Sequence, residues 1–307
     1  MKLIQFLTLS ETEKLKEQKI LKLKEVLKPE CFYNAIVRYD TEVLLKLAIV
    51  NPEIDALCRS PELDDYWQEL WRQAGENPSK KESGSQVATQ EYLPMSTVSC
   101  LDLLKGLYLY EAYQSLLEKE EMTEQLIEDA KDYLYSSAEH GCFFALNALC
   151  VNGLALLKSR FDPDIASRVI YYANLAAKYY LSAGYLLLGN VCCELLLYEE
   201  EDIFRGMNLR FMSFNALVVA KMLQDISMPM INNAYQGKTL EEASHGAIKN
   251  FSHALERIQR SLRLTSFEVN QAYKKAGLEA DSIKQKFAKD TAAEKEEMAG
   301  ENLRRQI

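Results

Sequence analysis

Two similar segments 38 residues apart constrain this chain more than any other feature. Residues 130–150 read AKDYLYSSAEHGCFFALNALC, and residues 168–188 read RVIYYANLAAKYYLSAGYLLL. In this register Tyr133 aligns with Tyr171, Leu134 with Tyr172, Ala138 with Ala176, Ala145 with Ala183 and Leu149 with Leu187. Small residues at matching sites let two helices approach closely, and the large ones fill the space beside them. A repeat of this period reads as stacked helix hairpins, each burying its apolar face against a neighbour. Two generic Ala-rich helix pairs within a bundle are the alternative reading.

Composition points to an all-α fold. The 307 residues include only 12 Gly and 7 Pro, too few turn-formers to punctuate many short strands. Residues 10–28 predict a surface helix that starts at Ser10 with Glu13 completing a capping box. Short helical segments follow to residue 73. The stretch AGENPSKKESGSQVATQ, Ala74 to Gln90, is the clear linker. A helix near 97–118 then carries apolar residues at 101, 104, 108, 112 and 116. Beyond the repeats, a helix is expected over Asn208–Gln224 and a shorter piece near 228–236. Leu255, Leu262, Val269, Ala276 and Ile283 recur every seven residues. That seam suits an antiparallel helix pair or coiled coil, packed on its own bundle or on a second copy. A cap at Ser266 is expected to restart the helix. The resulting division is an N-terminal helical module (1–73), a linker (74–91), a repeat region (92–236), long C-terminal helices (237–289) and a flexible acidic tail (290–307).

Charge and cysteine usage narrow the setting. A net charge of -9 disfavours nucleic acid, because phosphate binding needs a basic face. Lys80-Lys81 and Arg304-Arg305 are short basic pairs and make no basic face. Seven cysteines, an odd number with no CxxC spacing, predict a reducing compartment without a disulfide framework. The N-terminus lacks a small-residue cleavage site and turns charged at Glu11, unlike a signal peptide. The uncharged run Cys142 to Leu157 is 16 residues and contains two Asn, which predicts a buried helix rather than a membrane span.

The run from Ala130 to Leu149 resembles a Sel1-like repeat, a relative of the tetratricopeptide family. Ala138, Gly141, Ala145 and Leu149 occupy the signature positions. In the second copy Tyr179 stands where the turn glycine belongs, so a different turn is expected there. The segment Leu44 to Gln73 resembles the later part of an F-box, with Leu44, Leu47, Ile54, Leu57, Cys58, Trp67, Leu70 and Trp71 fitting its pattern. The leading Leu-Pro of that family is interrupted here, with Lys28 between Leu27 and Pro29. The resemblance implies a ubiquitin-ligase adaptor as partner, contacted by Leu44, Leu47, Leu57, Trp67 and Trp71. Both tryptophans of the chain lie in this stretch, and the alternative is that they are simply core. The tail AAEKEEMAGENLRRQI, with Glu294, Glu296, Glu297 and Glu301, is similar to the export signals of Legionella Dot/Icm type IV effectors. That resemblance implies translocation from the bacterial cytoplasm into a host cytosol.

Catalytic chemistry is not expected from the residues. The chain has three histidines, His140, His245 and His253. His140 sits at a turn beside Cys142 with no third orienting group evident, and His245 and His253 are eight apart, too far to share a metal easily. The acidic run Glu199 to Asp202 reads as a solvated loop or helix start. No P-loop, GxGxxG, HExxH or GxSxG pattern is present. Neither a metal nor a cofactor is expected. In the second repeat Tyr172 and Tyr179 share a helix face, and with Tyr185 they form a candidate groove for a protein partner. The rival readings are an enzyme with an unrecognised helical site, built on Cys142 or an acidic cluster, and a self-assembling protein.

Overall fold

A computed structural model describes residues 7, 9–76, 98–119, 123–223, 255–256 and 259–304. Among them the protein is all-α, with no strand. The chain forms two compact units, Met1–Val151 and Asn152–Ile307, and the boundary falls inside a helix.

The first unit holds α1 (Glu11–Val26), α2 (Pro29–Ile36), α3 (Thr41–Val50), α4 (Pro52–Cys58), α5 (Asp64–Glu76), α6 (Cys100–Leu117), α7 (Glu124–Glu139) and the start of α8 (Phe143–Ser159). Local sequence sets most of these starts. Ser10 accepts the Glu13 N–H while the Glu13 carboxylate accepts the Ser10 N–H at 2.7 Å, the expected capping box. Asp40 caps α3, and Asn51 closes α3 and caps α4, where Pro52 takes the first turn. The α7–α8 turn uses Gly141 at φ 79°, which an L side chain resists. The α6–α7 pair packs at small residues: a Cβ on Gly106 would meet the Cys142 Cβ at 3.0 Å, and the Ser137 hydroxyl donates to the Gly106 carbonyl at 2.6 Å. The core of this unit includes Ile20, Ile36, Leu44, Leu47, Ile54, Leu63, Trp67 and Leu109.

The second unit contains the rest of α8, then α9 (Pro163–Leu195), α10 (Leu209–Met222) and α11 (Ser266–Arg304). α9 is two helices in one. Tyr180 and Leu181 leave the helical region, Leu181 at φ 41°. A Cβ on Gly184 would lie 1.9 Å from the Ala176 carbonyl oxygen, a contact possible only if the chain turns back on itself. The second repeat is therefore a hairpin, as expected. Its turn comes two residues beyond the position of Gly141 in the first copy, because Tyr179 cannot serve there. The stretch Pro163–Tyr198 is long and apolar enough for a membrane span by length and composition, but more than half of its most apolar window is buried. The reversal also leaves each leg shorter than the roughly 20 residues a span needs.

The 182–195 leg runs antiparallel to α10: Ser182 donates to the Ala220 carbonyl and Ser213 to the Gly189 carbonyl, both at 2.8 Å. α11 packs on α10 through Phe214 against Tyr273 and Lys275 over the Phe211 ring. Leu255, Leu262, Val269 and Ala276 are buried, so the sevenfold seam faces its own unit. Its cap is Thr265 with Glu268, one residue before the expected Ser266, because Glu268 reaches back to the Thr265 N–H at 2.8 Å. The backbone of 290–304 continues α11 where the sequence predicted a flexible tail; Ala, Glu and Lys there are strong helix formers. Residues 77–97 and 224–254, which include most of the linker, the 228–236 piece, His245 and His253, lie outside the described residues.

Candidate functional site

The apolar stripe of α6 serves two environments. Leu101 and Leu104 are buried, whereas Tyr108, Ala112 and Leu116 are only half-buried. Along this second half a groove of about 640 Å³ opens between α6, α3 and α5. On α6 it is lined at positions 104, 107, 108, 111, 112 and 115, a single face spaced i, i+3, i+4, i+7, i+8 and i+11. At 1.5 Å per residue that face is about 16 Å long, three helical turns. Positions 41, 42 and 45 of α3 and 70 and 73 of α5 supply the other walls. Its lining mixes leucines 45, 70, 104 and 107 and Ala112 with the polar Thr41, Gln73, Tyr108 and Ser115 and the charged Glu42 and Glu111. Burial, with the nearby Glu42 carboxylate, pushes the Tyr108 phenol up to about 12.

Behind the groove the walls are tied by a charge network that joins α4 to α6. Arg59 donates two bonds to Asp102, at 2.8 and 2.7 Å, and a third to Asp55 at 3.0 Å. Lys105, only 1% exposed, pairs with the same Asp55. Ser99 donates to Asp102 at 2.7 Å, and the His140 Nδ1 lies 3.2 Å from its other oxygen. Burial pushes the Asp102 carboxyl up, but the bonds from His140, Arg59 and Ser99 outweigh it and hold it well below the usual carboxylate range. An ionised carboxylate only accepts, which places the His140 proton on Nδ1. α5 is fastened in turn by Trp67, whose Nε1 donates to the Cys58 carbonyl at 2.7 Å.

The sequence did not single out Asp55, Arg59, Asp102 or Lys105. One signal was available: Lys105 is a lone cation inside the apolar run from Leu103 to Leu109. Leu44, Leu47, Leu57, Trp67 and Trp71, the residues of the F-box resemblance, are all buried within the first unit and present no outer surface. Tyr172, Tyr179 and Tyr185 are half-buried in the second unit, Tyr172 and Tyr179 on the first leg of α9 and Tyr185 on the second, beyond the reversal. Tyr185 donates to Glu279 of α11 at 2.5 Å, and Lys178 lies over the Tyr179 ring.

The buried cysteines are poorly placed for chemistry. Burial pushes the Cys58, Cys150 and Cys192 thiols up to about 12 and that of Cys100 to about 11. Cys142 is also pushed up by burial, and His140 beside it in sequence is engaged with Asp102. Glu199 of the acidic run pairs with Arg210, and Asp202 with Arg205. Among the described residues no group of three or more His, Cys, Asp or Glu side chains is placed to hold a metal.

These features define a helical protein of close-packed hairpins with, among the described residues, a groove of mixed apolar and polar lining in its first unit. The chain belongs to a family of unknown function, DUF5630, whose model matches residues 32–258. The fold is shared with solved structures. The uncharacterised protein lpg1670 is 24% identical with a TM-score of 0.70, over 90% of this chain and 99% of that one. MesI (Lpg2505) from Legionella pneumophila is 18% identical with a TM-score of 0.61, over 86% of this chain and 96% of that one. A second structure, described as the Legionella pneumophila effector Lpg2505, is 19% identical with a TM-score of 0.57, over 85% and 89%. No curated protein matches.

Proposed function

We propose that this chain is a protein-binding scaffold, a translocated bacterial effector that grips a partner protein without chemistry of its own. The groove along α6 carries the reading. α6 is apolar on nearly every side, and such a helix is normally covered. Here its N-terminal half is buried, and its C-terminal half lines a groove, walled by leucines and polar side chains, that the other described residues leave open. Binding sites are typically concave, with apolar walls and a few polar groups that fix orientation. The effector setting is supported by the fold shared with Lpg2505 and by the glutamates near the C-terminus. The burial of Trp67 and Trp71 moves the expected contact from those residues to the groove above them.

Two measurements test this. Amide exchange of the chain with a captured partner is expected to show new protection at 104–115 of α6; protection confined to the second unit would sink the groove. A translocation reporter fused to the chain is expected to reach host cytosol only from bacteria with a working type IV system. Loss of that signal on removing residues 290–307 would place the export signal in the tail.

A further inference from the structure

Leu7 and Leu9, which precede α1, lie in a seat formed by three helices. Leu7 joins Val50 of α3 and Leu109 of α6 in one buried cluster, with Leu9, Ile49, Tyr108 and Tyr133 of α7 packed against it. With Leu7 in place, Leu109 is fully buried and Val50 is only 9% exposed. We infer that Leu7 and Leu9 form a releasable latch: the seat between α3, α6 and α7 is a docking site for a Leu-x-Leu segment, which the chain keeps closed with its own. The inference stands apart from the docking groove, although Tyr108 belongs to both linings.

The forces on the latch differ from those on the helix behind it. Among the described residues no hydrogen bond ties Leu7 or Leu9 to α3, α6 or α7, so apolar contact alone holds them. α1 is anchored independently. The Glu13 carboxylate accepts two bonds from Lys46 of α3, both at 3.0 Å, Asn51 donates to Glu17, and Ile20 is fully buried. Between latch and helix lies Ser10, extended at φ -65° and ψ 161°, whose capping box closes the first turn of α1. The chain can therefore swing at Ser10 while α1 and its cap stay in place.

The seat selects a short apolar motif. Leu7 and Leu9 are two residues apart, the spacing that puts alternate side chains of an extended segment on one face. The side chains that meet them are Val50, Leu109, Ile49 and the two tyrosine rings, none of which offers a charge for an ion pair. Burial of one leucine side chain favours the closed latch by about ten- to a hundredfold. A competing segment reaches only the open fraction, so its apparent affinity falls by the same factor.

The experiment uses the full chain and a fluorescein-labelled peptide with the sequence of residues 1–16, read by anisotropy. The parent is expected to bind it weakly. Leu7→Asp, which resists burial of its charge, is expected to bind it about ten- to a hundredfold more tightly while keeping its helical circular dichroism. Leu9→Asp, at a half-buried position, should shift binding the same way by a smaller factor. Leu7→Met keeps the apolar contact and should match the parent. A peptide with Asp at both leucine positions should bind none of them. Loss of helical signal in both Asp variants would make Leu7 and Leu9 part of the structural core and overturn the latch. Folded Asp variants that bind no more tightly than the parent would overturn the docking seat. Equal binding of the Asp peptide would show unselective attraction and overturn it too. A parent dimer in light scattering that Leu7→Asp makes monomeric would assign the seat to a second copy and overturn the intramolecular latch.

Discussion

Lys105 gives the sharpest test of the charge network. Its side chain is 1% exposed, and its partner Asp55 is 26% exposed and also bonded to Arg59. Asp55→Ala strips the buried cation of that partner, a change that typically costs about 3–5 kcal/mol, because desolvation is no longer offset. Lys105→Met removes the cation and keeps the volume. Asp55 then retains Arg59 at 3.0 Å and some water, so the loss is expected to be below about 1 kcal/mol. The double variant is expected to recover most of what Asp55→Ala loses. Both tryptophans lie in the first unit, so their fluorescence in urea reports this unit selectively. With a slope of about 2 kcal/mol per molar urea, Asp55→Ala lowers the midpoint by roughly 1.5–2.5 M at unchanged slope. A midpoint for Asp55→Ala within about 0.3 M of the parent would mean that Lys105 reaches water, and the network argument would fail.

Other consequences follow from single contacts. Asp102 has a depressed folded pKa, so its contribution is fully present above the unfolded value of about 3.9 and is lost as pH falls below it; Asp102→Asn should flatten that acid limb in a fluorescence titration. Trp67→Ala is expected to cost about 3–5 kcal/mol in the same urea assay, since it empties a core site and loses the bond to the Cys58 carbonyl. A loss of partner binding in that variant would therefore report unfolding, which circular dichroism distinguishes. Gly184→Ala forces a Cβ into the Ala176 carbonyl and should destabilise the second unit by at least about 1–3 kcal/mol, read by loss of helical signal on heating. Thr265→Ala removes a capping box and is expected to cost about 1 kcal/mol, with faster amide exchange in the first turn of α11.

Local rules made much of the fold legible. The Ser10 capping box, the Gly141 turn and the buried seam at Leu255, Leu262, Val269 and Ala276 are each short-range patterns with one structural solution. The second hairpin was legible as a hairpin, but its turn was not. Leu181 adopts a φ normally left to glycine, held there by close packing of Ala176 and Gly184 that no local rule reveals. The stripe of α6 was also visible, with apolar residues at 101, 104, 108, 112 and 116. What periodicity cannot show is where along a helix the cover stops. Burial of the first half and exposure of the second depend on α3 and α5, whose lining positions lie more than thirty residues before Leu104. The same limit explains the tryptophans: spacing placed them on one face, and only tertiary packing decides that this face points inward.

The network and the groove belong to one argument. A groove binds well when its walls are fixed before the partner arrives, because ordering them on binding costs free energy. Here α5 is fastened to α4 by Trp67 and the Cys58 carbonyl, and α4 is fastened to α6 by Asp55, Arg59, Asp102 and Lys105. A well-packed apolar substitute at Lys105 and Asp55 would hold the walls as stably, but with less control of register, since Asp55 ties both Lys105 and Arg59 into one geometry. Stability and affinity should therefore separate. Lys105→Met with Asp55→Ala restores the first, while any looseness it leaves between α4 and α6 shows as weaker binding along the α6 face.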